Sequence, residues 1–140
     1  MSKLDPSRLE VGSDLPALDV NLNATRIIAG AIASRDFMPV HHDRDYAQAQ
    51  GAPDLFLNIL STNGYIARFL TDWAGPRAEL RNIRIRLGVP AVPGHVLQFR
   101  GKVSEVSEEE GAWRVGVALT VANELGDHAT GTAELRVPAG

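Results

Sequence analysis

Residues 54–73 read Asp-Leu-Phe-Leu-Asn-Ile-Leu-Ser-Thr-Asn-Gly-Tyr-Ile-Ala-Arg-Phe-Leu-Thr-Asp-Trp, and this stretch decides the fold. Leu55, Ile59, Tyr65, Ile66, Phe69, Leu70 and Trp73 recur at helical spacing, which predicts one long helix. Asp54 is the expected N-cap, and Gly75-Pro76 the stop. Few polar residues interrupt the first half, so the helix is expected to be largely wrapped by other structure.

Downstream the period changes from helical to two. Ile83, Ile85 and Leu87 alternate with Asn82, Arg84 and Arg86, as in a strand with one buried face. Residues 96–106, 113–122 and 129–137 read as three further strands, joined by polar turns at 108–111 and 123–127. Short turns imply antiparallel pairing. Upstream, part of the small, apolar run Val20 to Ala33 reads as a buried strand. Residues 36–45 are polar, contain Pro39 and predict a loop, with a short helical turn over Tyr46 to Gln50. The segregation of helix from strands gives an α+β class: a curled antiparallel sheet of five or six strands around one helix. Its edge strands and open face predict a dimer.

The chain has 140 residues, enough for one domain over 1–140, with 1–18 expected as a loose opening segment. Its net charge of -3 argues against nucleic acid as partner. The absence of cysteine removes disulfides, thiolate metal sites and a cysteine nucleophile, and fits a cytoplasmic protein. Met1 to Leu18 lacks the apolar region of a signal peptide. No apolar run approaches the roughly 18 residues of a membrane span.

Chemistry is expected in the loop. Asp36 and His41 lie five positions apart, with Pro39 restricting the backbone between them. A carboxylate and an imidazole on one stiff loop can handle a single water together. These two residues alone are better explained as a turn-capping Asp and a solvated His.

The wider segment resembles a known family. Ser34, Asp36, Pro39, Val40, His41 and Ala47 fall on the hydratase motif of MaoC-like proteins, while Arg35 and Met38 replace its usual Gly and Asn. The runs Val40 to Asp45, Asn58-Ile59-Leu60, Thr71 to Pro76, Arg86 to Pro90 and Leu125 to His128 are similar to one branch. That branch is the small catalytic subunit of the two-chain enoyl-CoA hydratases of bacterial steroid side-chain degradation. The resemblance implies a hot-dog fold and hydration of a trans-2-enoyl-CoA, with a bulky steroid-derived acyl group, to a 3-hydroxyacyl-CoA. Asp36 and His41 would be catalytic, and a backbone N–H at Asn58 would serve as oxyanion donor. The resemblance further implies no cofactor beyond the CoA of the substrate, and a second MaoC-like chain as partner, otherwise a homodimer.

Other residues carry weaker expectations. His42 is a candidate near the substrate, and Arg84 and Arg86 are candidates for CoA phosphates, against a solvated strand face as the plainer account. His95 and His128 read as turn or surface residues. No metal site is expected, because adjacent histidines point apart. The competing functions are a homodimeric MaoC hydratase or dehydratase for a smaller acyl-CoA, a hot-dog thioesterase, and a non-catalytic partner subunit.

Overall fold

A computed structural model describes residues 4–140. Five strands form one antiparallel sheet: β1 (Leu18–Asn21), β2 (Glu79–Leu87), β3 (Val96–Glu109), β4 (Ala112–Asn123) and β5 (Gly126–Pro138), in the order β1-β3-β4-β5-β2. The last three make a meander, and β1 and β2 are the edges, so the sheet is not closed. Register shifts at Leu80/Asn82, Val103/Glu105 and Val121/Ala122 place irregularities in three of the four pairings. Such bulges bend strands and raise their twist, which curls the sheet.

The helices are α1 (Ala24–Ala33), α2 (Arg44–Ala49) and α3 (Ile59–Ala74). α3 is the long helix read from the sequence, and it lies in the curl. Thr62, Ile66, Phe69, Leu70 and Ala74 form its buried stripe. On β4, Val115, Val117, Leu119 and Val121 are buried at every second position. Phe99 of β3 meets Phe69 and Tyr65 with ring centroids 6.0 and 6.2 Å apart. Full burial of side chains of this size contributes about 1.5–3 kcal/mol each. The five-stranded curl around α3 is the expected α+β hot-dog architecture.

Four local expectations need correction. The run Val20 to Ala33 is a strand only to Asn21, because Asn23 accepts from the Arg26 N–H at 2.8 Å and starts α1. α3 begins at Ile59 rather than near Asp54, because its cap is Asn58, which accepts from the Ser61 N–H at 3.2 Å. Asp54 turns instead to Arg44 and the Leu55 N–H. The first turn of α3 is not wrapped: Ile59 and Leu60 are exposed.

The opening segment, finally, is not loose over its described part, residues 4–18; residues 1–3 lie outside the described residues. Gly12 donates to the Val103 carbonyl, Val103 to that of Ser13 and Leu15 to that of Gly101, so residues 12–15 extend the edge that β1 covers on β3. Among the described residues, the outer edge of β2 pairs with no other strand.

Candidate active site

The carboxylate of Asp36 is delivered by the end of α1. Arg35 N–H donates to the Ile32 carbonyl and Asp36 N–H to that of Ala31, the paired bonds of a Schellman turn. Its left-handed position is Arg35, at φ 58°. Asp36 Oδ1 then accepts from the Met38 N–H at 3.4 Å, a weak turn contact that leaves Oδ2 for longer-range partners.

Pro39 opens a short 3-10 turn over Pro39–His41, as its fixed φ favours. This turn is tied to the segment before α3 by two bonds. Phe56 N–H donates to the Val40 carbonyl at 3.1 Å, and His41 Nδ1 lies 2.7 Å from the Phe56 carbonyl. A carbonyl can only accept, so Nδ1 donates to it, which leaves Nε2 as the nitrogen free to exchange a proton. Nε2 lies 3.3 Å from Asp36 Oδ2. The Phe56 ring stands edge-on to the imidazole at 5.0 Å. His41 is buried, whereas the Asp36 side chain keeps 23% of its surface, so the pair has one open side.

Asn58 joins this pair to the helix. Its side-chain amide donates to Asp36 Oδ2 at 3.1 Å and to Ser34 Oγ at 2.9 Å, while Ser34 Oγ donates to the Gly30 carbonyl. Its Oδ1 caps α3, so one buried amide fixes both the carboxylate and the helix start. Among the described residues, none accepts from the backbone N–H of Asn58, Ile59 or Leu60. Free N–H groups at a helix start, with the helix dipole behind them, favour negative charge.

One turn further, Thr62 Oγ1 lies 2.9 Å from His128 Nε2, and His128 Nδ1 lies 2.8 Å from the Val89 carbonyl. Burial pushes the His128 imidazole below the ordinary histidine range, against the Val89 carbonyl, which favours the charged form. Nearer the loop, Arg44 and Asp54 pair at 2.8 Å. Burial pushes the Asp54 carboxyl up, but Arg44 and the Leu55 N–H outweigh it and hold the carboxyl below the usual carboxylate range.

The structure thus brings together Asp36, His41 and Asn58. His42 is exposed beside them, closing the 3-10 turn through its backbone. Arg84 and Arg86 lie elsewhere within this chain. Ile83 and Ile85 take the core side of β2, and Arg84 lines a groove with Ser104, Gly116 and Thr132 on the sheet face away from α3. Among the described residues, no three His, Asp or Glu side chains gather as a metal site, and no helix is long and apolar enough to cross a membrane.

Sequence reasoning missed the side-chain role of Asn58, the Phe56 carbonyl and the Thr62–His128 contact. The cap could have been found: Asn58 stands directly before an apolar helical run, as an N-cap does.

No family model matches the chain. It is 45% identical over 125 residues to the 3-oxo-4,17-pregnadiene-20-carboxyl-CoA hydratase beta subunit of Mycobacterium tuberculosis, covering 89% of this chain and 94% of that protein. It superposes on a chain of the ChsH1-ChsH2 complex from Mycobacterium tuberculosis with a TM-score of 0.86 at 44% identity, over 91% of this chain and 98% of that one. The MaoC-like dehydratase from Rhodospirillum rubrum shares the fold, with a TM-score of 0.85 at 20% identity over 98% of each chain.

Proposed function

The chain belongs to the MaoC-like enoyl-CoA hydratases, and from that premise we propose that Asp36 and His41 carry its hydration step, with a steroid-derived 2-enoyl-CoA as substrate. One observation supports this most. A carboxylate oxygen and an imidazole Nε2 from one loop lie 3.3 Å apart on an open side beside the start of α3.

A water held by both groups lies against C3 of the enoyl thioester. His41 Nε2 takes one proton as the water oxygen bonds to C3. The other hydrogen stays on the oxygen that becomes the 3-hydroxyl and donates a hydrogen bond to the Asp36 carboxylate, whose charge also lies beside the imidazolium being formed. The electrons of the C2–C3 double bond move to the thioester oxygen. That enolate oxygen meets the free N–H groups of the Asn58–Leu60 turn. C2 then takes the proton from His41, and the product is a 3-hydroxyacyl-CoA. Every atom comes from water and the enoyl thioester, so the reaction needs no further cofactor.

A bulky acyl group follows from the relative named for a pregnadiene carboxyl-CoA. A heteromeric partner is supported by the likeness to one chain of a two-chain complex. His42, Arg84 and Arg86 come into contact with acyl-CoA, in this reading, only where a second chain completes the cleft. A thioesterase is disfavoured, because the paired Asp and His suit addition of water across a double bond.

The test uses the chain together with the companion chain of the ChsH1-ChsH2 complex and the enoyl-CoA of the relative. Loss of the conjugated-thioester absorbance, without release of free thiol, is the expected result. Free thiol without hydration would make it a thioesterase, and a hydration rate unchanged in the Asp36→Asn, His41→Ala double variant would remove both residues from the chemistry.

A further inference from the structure

The turn that delivers Asp36 contains a residue poorly suited to its backbone. Arg35, at φ 58°, is the one positive-φ residue other than glycine among those described. Glycine takes this conformation freely, whereas a Cβ is strained there. Arg35 is also exposed, and among the described residues no carboxylate pairs with it. Strain kept at such a position signals a use for the side chain.

Its surroundings indicate what kind of use. Ile32, Phe37 and Met38 are 59%, 64% and 53% exposed. Gly30 brings the first turn of α3 against α1, since a Cβ there would run into Ser61 Oγ, and Asn58 bonds to Ser34 and Asp36. The exposed Ile59 and Leu60 therefore stand at the same end of the molecule. A guanidinium set among exposed Phe, Met and Ile has the composition of a protein interface, where aromatic residues, Met and Arg are enriched. A phosphate site of the usual kind gathers several donor side chains, and Ile32, Phe37, Met38, Ile59 and Leu60 carry none.

We propose that this rim is the docking surface for a second MaoC-like chain and that Arg35 is its anchor, paired with a carboxylate of that chain. The occupant is argued from the likeness to one chain of a two-chain complex and from the unpaired positive charge, and it rests on the heteromeric reading above. Asp36 directly follows Arg35 in the same turn, so docking also fixes the position of the catalytic carboxylate.

The experiment mixes this chain with the companion chain of the ChsH1-ChsH2 complex and measures assembly by native mass spectrometry and sedimentation. The wild type is expected to form a mixed complex. Arg35→Gln should weaken it at least about tenfold, and Arg35→Glu further, with the difference shrinking as salt screens the pair. Arg35→Gly should assemble as poorly as Arg35→Gln, yet melt no lower than wild type and up to about 4 °C higher, because the strain is gone. Assembly of Arg35→Gln within twofold of wild type would overturn the proposal, as would a wild type that ignores the companion chain or pairs only with itself. Arg35 variants that assemble normally but raise KM would reassign the charge to the substrate. A mixed complex that depends on Arg35 but does not hydrate an enoyl-CoA would leave the docking surface standing and remove the hydratase reading instead.

Discussion

Two buried histidines are tied to the start of α3, and they differ in one bond. His41 and His128 each direct Nδ1 at a backbone carbonyl, at 2.7 and 2.8 Å. Their other nitrogens diverge. His128 Nε2 meets the hydroxyl of fully buried Thr62, which donates to it and closes the account of both groups. His41 Nε2 meets a carboxylate that remains partly open to solvent, and neither group has used all its capacity. Burial alone does not distinguish the two imidazoles; the partner of Nε2 and the open side do.

Exchanging the roles of the two residues is the strongest way to break this contrast. Asp36→Asn or His41→Ala should lower kcat at least about a hundredfold in the assembled enzyme, the usual scale for general acid–base groups. His128→Leu should leave kcat of the folded enzyme within about threefold. It should instead lower stability by about 1–3 kcal/mol in chemical denaturation, because Thr62 and the Val89 carbonyl lose a buried partner. An equal loss of kcat in both would erase the distinction.

Asn58→Ala sharpens the comparison from the side of the helix. It removes a cap and a donor to Asp36, so kcat should fall about tenfold and stability by about 1 kcal/mol together. Loss of stability with kcat unchanged would mean that the amide serves the helix alone.

Acid separates the two histidines further. His128 is held below its unfolded value near 6.5, so the native state prefers it neutral. Its contribution is present above that pH and is lost as pH falls through the folded value, while the unfolded chain takes up the proton. Unfolding followed from pH 7.5 downward should show a slope steeper by up to about one proton in wild type than in His128→Gln. The smallest effect is expected at the Arg44–Asp54 pair, whose arginine is mostly exposed. Asp54→Asn should move the melting temperature by no more than about 2 °C.

The sequence made some of this visible and hid the rest for physical reasons. α3, β3, β4 and β5 were legible because each carries its own period, 3.6 or 2, within a short window. α1 was not, because its Ile27 and Ile28 are β-branched and its short amphipathic pattern resembles a strand until Asn23 is recognised as a cap. Asp54 drew the helix start four residues too early, since capping chemistry is shared by every Asp and Asn before an apolar run. Asp36 and His41 were legible through a local motif. Ser34, Phe56, Thr62 and His128 join the site across 24, 15 and 66 residues of chain, distances over which no periodicity speaks.

The order of the strands bears on how the chain is made. β1 waits for residues 96–99, and β2 for residues 129–136. A ribosome therefore extrudes the whole of α3, with Ile66, Phe69 and Leu70 along one side, before β2 to β5, most of the sheet it will rest on, have been translated. Non-local pairing of this kind is slow to nucleate and leaves apolar surface uncovered meanwhile. Part of that surface stays uncovered until β5 emerges, and a message cut short before that strand yields a product with nothing to hold β2.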